Sequence, residues 1–243
     1  MRIDTRVPWT TGDAIFALLS ELLLAALLII ITNNVLEVYW QLSFFDFVKG
    51  NPWAVFLVFL IQNVILFLSF WFFCLRPYRP SADLLGLRRV KPAIAAALII
   101  AVFLINFVIT ALYNSFSAQY QVDLPGFGIQ EPHLPVFGVN VTGMVLLAIV
   151  AIAIAPIIEE VFFRGFLQQA FTKRFGLNQG VLLTSLIFAI AHFEFQVIIP
   201  IFILSVLLGW MFIRAQSIWP AIIFHAINNS LALLIEFAVL NVI

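Results

Sequence analysis

Six polar side chains lie in the second half of the chain, within or at the ends of stretches that are otherwise strongly apolar. They are Glu159, Glu160, Arg164, His192, His225 and Asn229. Carboxylates and imidazoles can activate a water molecule, and imidazole and amide groups can donate hydrogen bonds to an oxyanion. Inside a membrane-spanning helix an ionised side chain costs about 2.5–3.5 kcal/mol, so this concentration of polar groups indicates a chemical role.

Helical spacing assigns partners to the three charged residues that come first. Glu160 and Arg164 are four positions apart, so they share a helix face and can form an ion pair. Glu159 points about 100° away from Glu160 around the same helix and has no local cation. The spacing therefore predicts that Glu159 is the carboxylate available as a general base.

The two histidines in these stretches have neighbours at the same four-residue spacing. His225 shares a helix face with Asn229, and Phe188 is placed to put an aromatic ring beside His192. Taken singly, each of these polar residues could equally be a packing group, because a histidine or an asparagine often joins two membrane helices. Five other polar residues are assigned to packing alone: Glu21, Gln62, Asn63, Asn106 and Glu236.

The composition of the chain predicts a membrane around these residues. Of the 243 residues, 64% are hydrophobic and only 10% are charged, whereas a soluble domain has about 25% charged residues. This balance excludes a disordered chain and a basic nucleic-acid binder, so we expect a lipid bilayer and no nucleic acid as a partner. Cys74 is the only cysteine, which excludes an internal disulfide and a cysteine metal cluster.

Seven apolar runs predict about seven membrane-spanning helices in an all-α bundle. The runs are Ala14–Ile31, Ala54–Leu75, Ala93–Tyr113, Val141–Phe163, Val181–Phe193, Val197–Ile213 and Ala221–Leu240. A turn is predicted near Phe193–Gln196, and an amphipathic piece near Gly165–Arg174 is expected at the surface. Residues 1–92 are predicted to form N-terminal helices and a cytoplasmic linker, and residues 93–243 the functional core, within one membrane domain.

The charges in the linkers predict the orientation of the chain. The linker between the second and third runs contains five basic residues: Arg76, Arg79, Arg88, Arg89 and Lys91. Lys173 and Arg174 lie between the fourth and fifth runs, with Arg164 at the membrane edge, and Arg214 follows the sixth run. The loop 114–140 contains Asp123 and Glu131 but no Lys or Arg. Because basic linkers face the cytoplasm, we expect the N-terminus inside and the C-terminus outside.

Three segments of the chain resemble the motifs of one known family. Glu159–Arg164 is similar to the Glu-Glu-x-x-x-Arg motif of the CPBP intramembrane proteases, the CAAX-protease and bacteriocin-processing family also called Abi. Phe188–His192 matches the family's Phe-x-x-x-His motif, and His225–Asn229 matches its His-x-x-x-Asn motif. The resemblance extends from about Val141 to Glu236, and residues 83–88 are similar to a short linker found upstream in bacterial members.

This resemblance implies an intramembrane endopeptidase of the CAAX type that cuts membrane-anchored or lipidated peptides near the cytoplasmic face. The absence of transit or retention signals in the sequence predicts a prokaryotic plasma membrane. In the mechanism that we expect, Glu159, assisted by His192, activates a water molecule, and His225 and Asn229 stabilise the oxyanion. The pair Glu160–Arg164 fixes the backbone of the first carboxylate.

Two alternatives stay open on the sequence alone. Family members are labelled metalloproteases, and a metal-dependent version would use Glu159, His192 and His225 as ligands of Zn²⁺, with one position open for water. The chain has no His-Glu-x-x-His motif, and a glutamate-activated water without a metal is the other version. The alternative function is a non-catalytic membrane scaffold or a bacteriocin-immunity protein of the same fold.

Overall fold

The computed structural model describes residues 7–49, 51–121, 124–128 and 130–240, and in these ranges it contains helices and no strand. The nine helices of this part of the chain are α1 Thr11–Trp40, α2 Phe44–Val48, α3 Pro52–Tyr78, α4 Pro92–Tyr120, α5 Leu134–Phe137, α6 Val141–Phe175, α7 Leu177–Ala191, α8 Ile198–Ala215 and α9 Trp219–Val239. Asp123, which entered the orientation prediction, lies outside the described residues. The orientation itself stays a prediction.

Local sequence signals set the ends of several helices. The side chain of Asn140 caps α6 by accepting a hydrogen bond from the backbone N–H of Gly143 at 3.0 Å. Gly176, with φ at +87°, ends the same helix in a conformation that L side chains rarely adopt. Gln121 and Gln216 end α4 and α8 with φ values of 51° and 52°.

Six of the helices are long and apolar enough to cross a membrane: α1, α3, α4, α6, α8 and α9. The seventh apolar helix, α7, has 15 residues and is about 22 Å long at 1.5 Å per residue. Phe193, with φ at 56°, and the 3₁₀ turn Phe195–Val197 separate α7 from α8, which confirms the predicted turn. Large apolar side chains such as Leu23 and Phe107 are exposed on α1 and α4, where a lipid bilayer would cover them. The chain is a multi-pass, all-α membrane protein.

The chain divides into two compact units. The first unit contains residues 1–11, 80–131 and 163–224, and the second contains residues 12–79, 132–162 and 225–243. Each unit has its own buried apolar cluster. In the first unit this cluster is Val102, Leu208, Met211, Ala221 and Phe224. In the second unit it is Val55, Leu134, Phe137, Leu146, Leu147, Leu233 and Phe237.

The prediction of an amphipathic surface piece near Gly165–Arg174 is wrong. The helix α6 extends to Phe175, and all residues from 165 to 172 are buried. The polar side chains in this stretch bind the backbone of neighbouring segments, since Gln168 Nε2 donates to the carbonyl oxygen of Gly209 at 3.2 Å. Trp9 is also fully buried here, and its indole N–H donates to the carbonyl oxygen of Phe166 at 3.1 Å. A mixed polar and apolar pattern therefore marks an interior helix rather than a surface one.

The linker before α4 passes close to the first unit's helices at Gly86. The φ of this glycine is +80°, and a Cβ there would lie 2.6 Å from the ring of Phe212 and 3.2 Å from Ile218. Its carbonyl oxygen accepts a hydrogen bond from the backbone N–H of Ile218 at 2.9 Å. Both the backbone conformation and the close approach require glycine at this position.

We expect Gly86→Ala to lower the free energy of unfolding by about 2–3 kcal/mol, because backbone strain and overpacking act together. Thermal unfolding in detergent measures the effect. Gly176→Ala is the matched control, since its φ is +87° but nothing lies within 4 Å of the added Cβ. Equal losses in the two variants would mean that the contact with Phe212 contributes nothing.

Candidate active site

The helix that carries the two adjacent glutamates is irregular on both sides of them. Within α6, the π-helical segments Ile149–Ile154 and Val161–Leu167 flank the α-helical turns Ala155–Glu160. In a π-helix each N–H donates to the carbonyl five residues earlier, as the N–H of Ala155 does to Val150. Such interruptions are frequent at functional sites because they change the direction in which side chains leave the helix.

A side chain from α9 replaces a backbone hydrogen bond that is missing in this irregular part of α6. The next acceptor in the i−5 pattern is the carbonyl oxygen of Ala151, but its donor would be Pro156, which has no N–H. The side-chain amide of Asn229 donates to this oxygen instead, at 2.8 Å. Asn229 therefore supplies the hydrogen bond that the proline cannot, and it supports the turn from which the glutamates project.

His225, one helical turn before that asparagine, lies beside both glutamates. Its Nδ1 is 3.1 Å from Oε1 of Glu160, which is fully buried, and Nδ1–H donates to that carboxylate. Its Nε2 is 4.0 Å from Oε2 of Glu159, whose side chain is 22% exposed. One imidazole thus has a carboxylate near each of its ring nitrogens. The second unit contains all three of these residues together with Asn229.

The distance between the side chains of Glu159 and His225 suits a bridging water molecule. A distance of 4.0 Å between Oε2 and Nε2 is too long for a direct hydrogen bond but short enough for one water molecule to bond to both atoms. Oε2 is buried and has no hydrogen-bond partner among the residues that the structure describes. The carboxylate oxygen is therefore available to accept a proton.

The first unit contains the other two predicted residues, Arg164 and His192. His192 follows the last residue of α7, and its Nδ1 is 2.7 Å from the carbonyl oxygen of Phe188. A carbonyl can only accept, so Nδ1 carries the proton and Nε2 of the neutral ring is left as an acceptor. The rings of Phe188 and His192 have centroids 4.5 Å apart, which confirms the predicted aromatic neighbour.

Arg164 also packs on the ring of Phe188. Its guanidinium carbon lies 4.6 Å from the ring centroid of Phe188. The fully buried side chain also donates through Nη2 to Oγ and to the carbonyl oxygen of Ser205, at 2.8 and 3.2 Å. Arg164, Phe188 and His192 form what we call the Phe188 stack, which holds the imidazole ring in place. Ser205 was not singled out from the sequence, where a serine in an apolar helix was its only signal.

The predicted ion pair of Glu160 with Arg164 joins residues of different units, and it stays a prediction. The same holds for the convergence of all six polar side chains around one site. The described residues contain no group of three or more His, Cys, Asp or Glu side chains arranged to hold a metal ion. The zinc set of Glu159, His192 and His225 therefore stays a prediction as well.

Three of the polar residues that were assigned to packing differ from one another in what they contact. Asn63 donates to the carbonyl oxygen of Phe59 within its own helix, and Glu236 accepts a hydrogen bond from the backbone N–H of Leu134 at the start of α5. Asn106 instead lines a cavity in the first unit.

The segment that carries the motifs matches a known family. Residues 141–231 match the family described as Rce1-like, type II CAAX prenyl endopeptidase. All three motifs lie inside the matched segment, so the match confirms the resemblance to the CPBP family. No curated protein and no solved structure matches the chain. The family match supports an intramembrane endopeptidase activity.

Proposed function

Because residues 141–231 match the Rce1-like CAAX endopeptidases, we propose that this protein cuts membrane-anchored or lipidated peptides near the cytoplasmic face of a prokaryotic plasma membrane. The structural observation that carries the proposal is the placement of His225 between Glu159 and Glu160, at 4.0 and 3.1 Å. Two adjacent carboxylates on one imidazole are costly within apolar helices, and simple helix packing does not require them. The basic linkers support a cytoplasmic location for the site.

In the proposed reaction, Glu159 accepts a proton from water while the water oxygen attacks the carbonyl carbon of the peptide bond. His192 is assigned the assisting role, because Nε2 of its ring remains a hydrogen-bond acceptor once Nδ1–H is committed to the carbonyl oxygen of Phe188. The proton then passes from Glu159 to the leaving nitrogen as the C–N bond breaks. The products are a carboxylate and a free amine.

The oxyanion of the tetrahedral intermediate needs hydrogen-bond donors. Nδ1–H of His225 is held by Glu160, so Nε2 is the ring atom left to face the oxyanion, and it donates there when it carries a proton. Asn229 uses one proton of its Nδ2 on Ala151 and has a second proton to donate. Glu160 is therefore assigned a positioning role, since it orients the ring that meets the oxyanion.

Metal analysis separates this mechanism from the zinc version. Protein purified without a chelating resin is expected to cleave substrate without bound metal and to keep its activity in the presence of a chelator. Stoichiometric zinc together with loss of activity on chelation would favour the zinc version instead.

Comparative peptidomics of membranes tests the function and identifies the substrate in the same experiment. We expect uncut peptides to accumulate, and their cleavage products to disappear, in cells whose only copy of the protein carries Glu159→Gln. Glu131→Gln is the matched control, because it makes the same change at an exposed residue outside the site. Identical peptide profiles in wild-type and Glu159→Gln cells, at equal protein levels, would favour the scaffold function.

A further inference from the structure

A second polar site lies in the first unit, along the later half of α4. A cavity of about 500 Å³ is lined there by polar side chains, which are Asn106, Thr110, Tyr113, Asn114 and Ser117. The apolar part of its wall includes Leu124, Phe127, Pro200 and Ile203. None of the six candidate catalytic residues lines this cavity. Its volume is in the range of typical small-ligand sites, about 300–1,000 Å³.

The polar residues of α4 form a stripe on one face of a membrane-spanning helix. Asn106, Thr110, Asn114 and Ser117 follow one another at three or four positions, with Tyr113 next to Asn114, so they stack along the helix. Phe107 and Leu112, on other faces, are 62% and 66% exposed and suit contact with lipid. Because polar groups facing lipid are costly, a stripe of this kind indicates a surface that meets a polar partner.

The wall of the cavity is held in place by defined contacts. The hydroxyl of Tyr113 donates to the carbonyl oxygen of Phe127 at 3.2 Å, and the two rings stack with centroids 4.0 Å apart. The N–H of Ile199 donates to the carbonyl oxygen of Gly126 at 3.1 Å, and the N–H of Gly128 donates to that of Gln196. These bonds attach the segment 124–128 to the first turn of α8 and to the connection before it, which begins at His192.

The chemistry of the lining limits what can bind. No charged side chain lines the cavity among the described residues, which disfavours phosphate head groups and charged ligands. The side-chain amides of Asn106 and Asn114 and the hydroxyl of Thr110 offer donors and acceptors along this wall. A peptide backbone requires this combination, with one N–H and one carbonyl per residue, whereas the ester groups of lipids can only accept. An extended peptide within a bilayer must satisfy these groups with polar partners.

We propose that this cavity binds a short, extended and uncharged stretch of a membrane peptide through its backbone amides. The proposal rests on the proposed function, because the bound stretch is a part of the substrate outside the cleaved bond. The cavity would then select substrates by an unwound, neutral segment rather than by a charged one.

Photo-crosslinking tests the proposal with the full-length protein in phosphatidylcholine nanodiscs. The probe is an acetyl- and amide-capped Leu-Gly-Leu-Gly-Leu peptide that carries a diazirine, and the protein carries Glu159→Gln so that the probe stays intact. We expect mass spectrometry to locate the label in residues 106–117, 124–128 and 200–203. Labelling should fall about tenfold in Asn106→Leu and in Asn114→Leu, since each removes hydrogen bonds to the backbone.

Three controls keep the outcome decisive. Gln119→Leu makes the same kind of change at an exposed residue of α4 that does not line the cavity, and it should label like the parent protein. A probe with N-methylated amides lacks the N–H donors and should label about tenfold less in the parent protein, where folding is not in question. A diazirine-bearing monoacylglycerol should not label the cavity or compete with the peptide.

Equal labelling by the two peptide probes, or labelling by the lipid probe that the asparagine variants reduce, would overturn the proposal. Cleavage is not the readout, so failures of the two proposals can be told apart. Substrate cleavage without probe binding contradicts only the cavity assignment. Probe binding without any cleavage by the wild-type protein contradicts only the peptidase assignment.

Discussion

Purified Glu159→Gln protein is expected to cleave its substrate about 10³-fold more slowly than the wild-type protein, because an amide cannot accept the proton of the attacking water. The substitution keeps the shape of the side chain, and His225 keeps its contact with Glu160 at 3.1 Å. The loss should therefore appear in kcat, with little change in thermal unfolding. Substrate peptides identified by peptidomics, reconstituted in proteoliposomes, allow the rate to be measured.

The neighbouring glutamate provides a matched comparison. Glu160→Gln leaves an amide oxygen that can still accept from Nδ1–H of His225, so we expect a smaller loss, of about tenfold. A Glu159→Gln protein that cleaves at the wild-type rate would end the protease assignment. Equally large rate losses in both variants would show instead that the two carboxylates act together in catalysis.

Asn229→Leu is expected to reduce kcat by about 10²-fold and to lower the free energy of unfolding by about 1–3 kcal/mol. The stability loss arises because the carbonyl oxygen of Ala151 loses its donor in a helix where Pro156 cannot replace it. The rate falls for two reasons. The oxyanion loses a hydrogen-bond donor, and the helical turn that carries Glu159 and Glu160 loses its support from Asn229. Rates in proteoliposomes and thermal unfolding in detergent measure the two effects.

A double-mutant cycle separates the two roles of Asn229. Pro156→Ala restores a backbone N–H at position 156, so the stability loss caused by Asn229→Leu should shrink in that background. The part of the rate loss that comes from the oxyanion should persist in the double variant. The same stability loss in both backgrounds would contradict the assignment of Asn229 as a substitute for the proline N–H.

The sequence predicted the helices well because apolar runs of membrane length have few alternative structures. It also predicted contacts within a helix, such as Phe188 with His192, because four-residue spacing fixes which side chains meet. It did not predict the π-helical segments of α6, since spacing arguments assume a regular period of 3.6 residues. Pro156 was the visible signal of an irregular helix at this position.

The spacing of residues along one helix could not predict contacts between different helices. The bond from Asn229 to Ala151 and the bonds from Arg164 to Ser205 connect residues that are far apart in the chain. The polar residues near Gly165–Arg174 were interpreted as facing water, whereas the amide of Gln168 in this stretch donates to a buried carbonyl oxygen. The division of the chain at residues 92 and 93 stays a prediction.

The short length of α7 affects how water, the second reactant of hydrolysis, enters the membrane. A helix of about 22 Å is too short for hydrocarbon that is about 30 Å thick, and lipids adapt to such a helix by local thinning. Head groups and solvent are then drawn inward beside its ends, and His192 follows the last residue of this helix. Hydrolysis in a membrane requires an entry route for water, and the indentation that this mismatch creates would provide one.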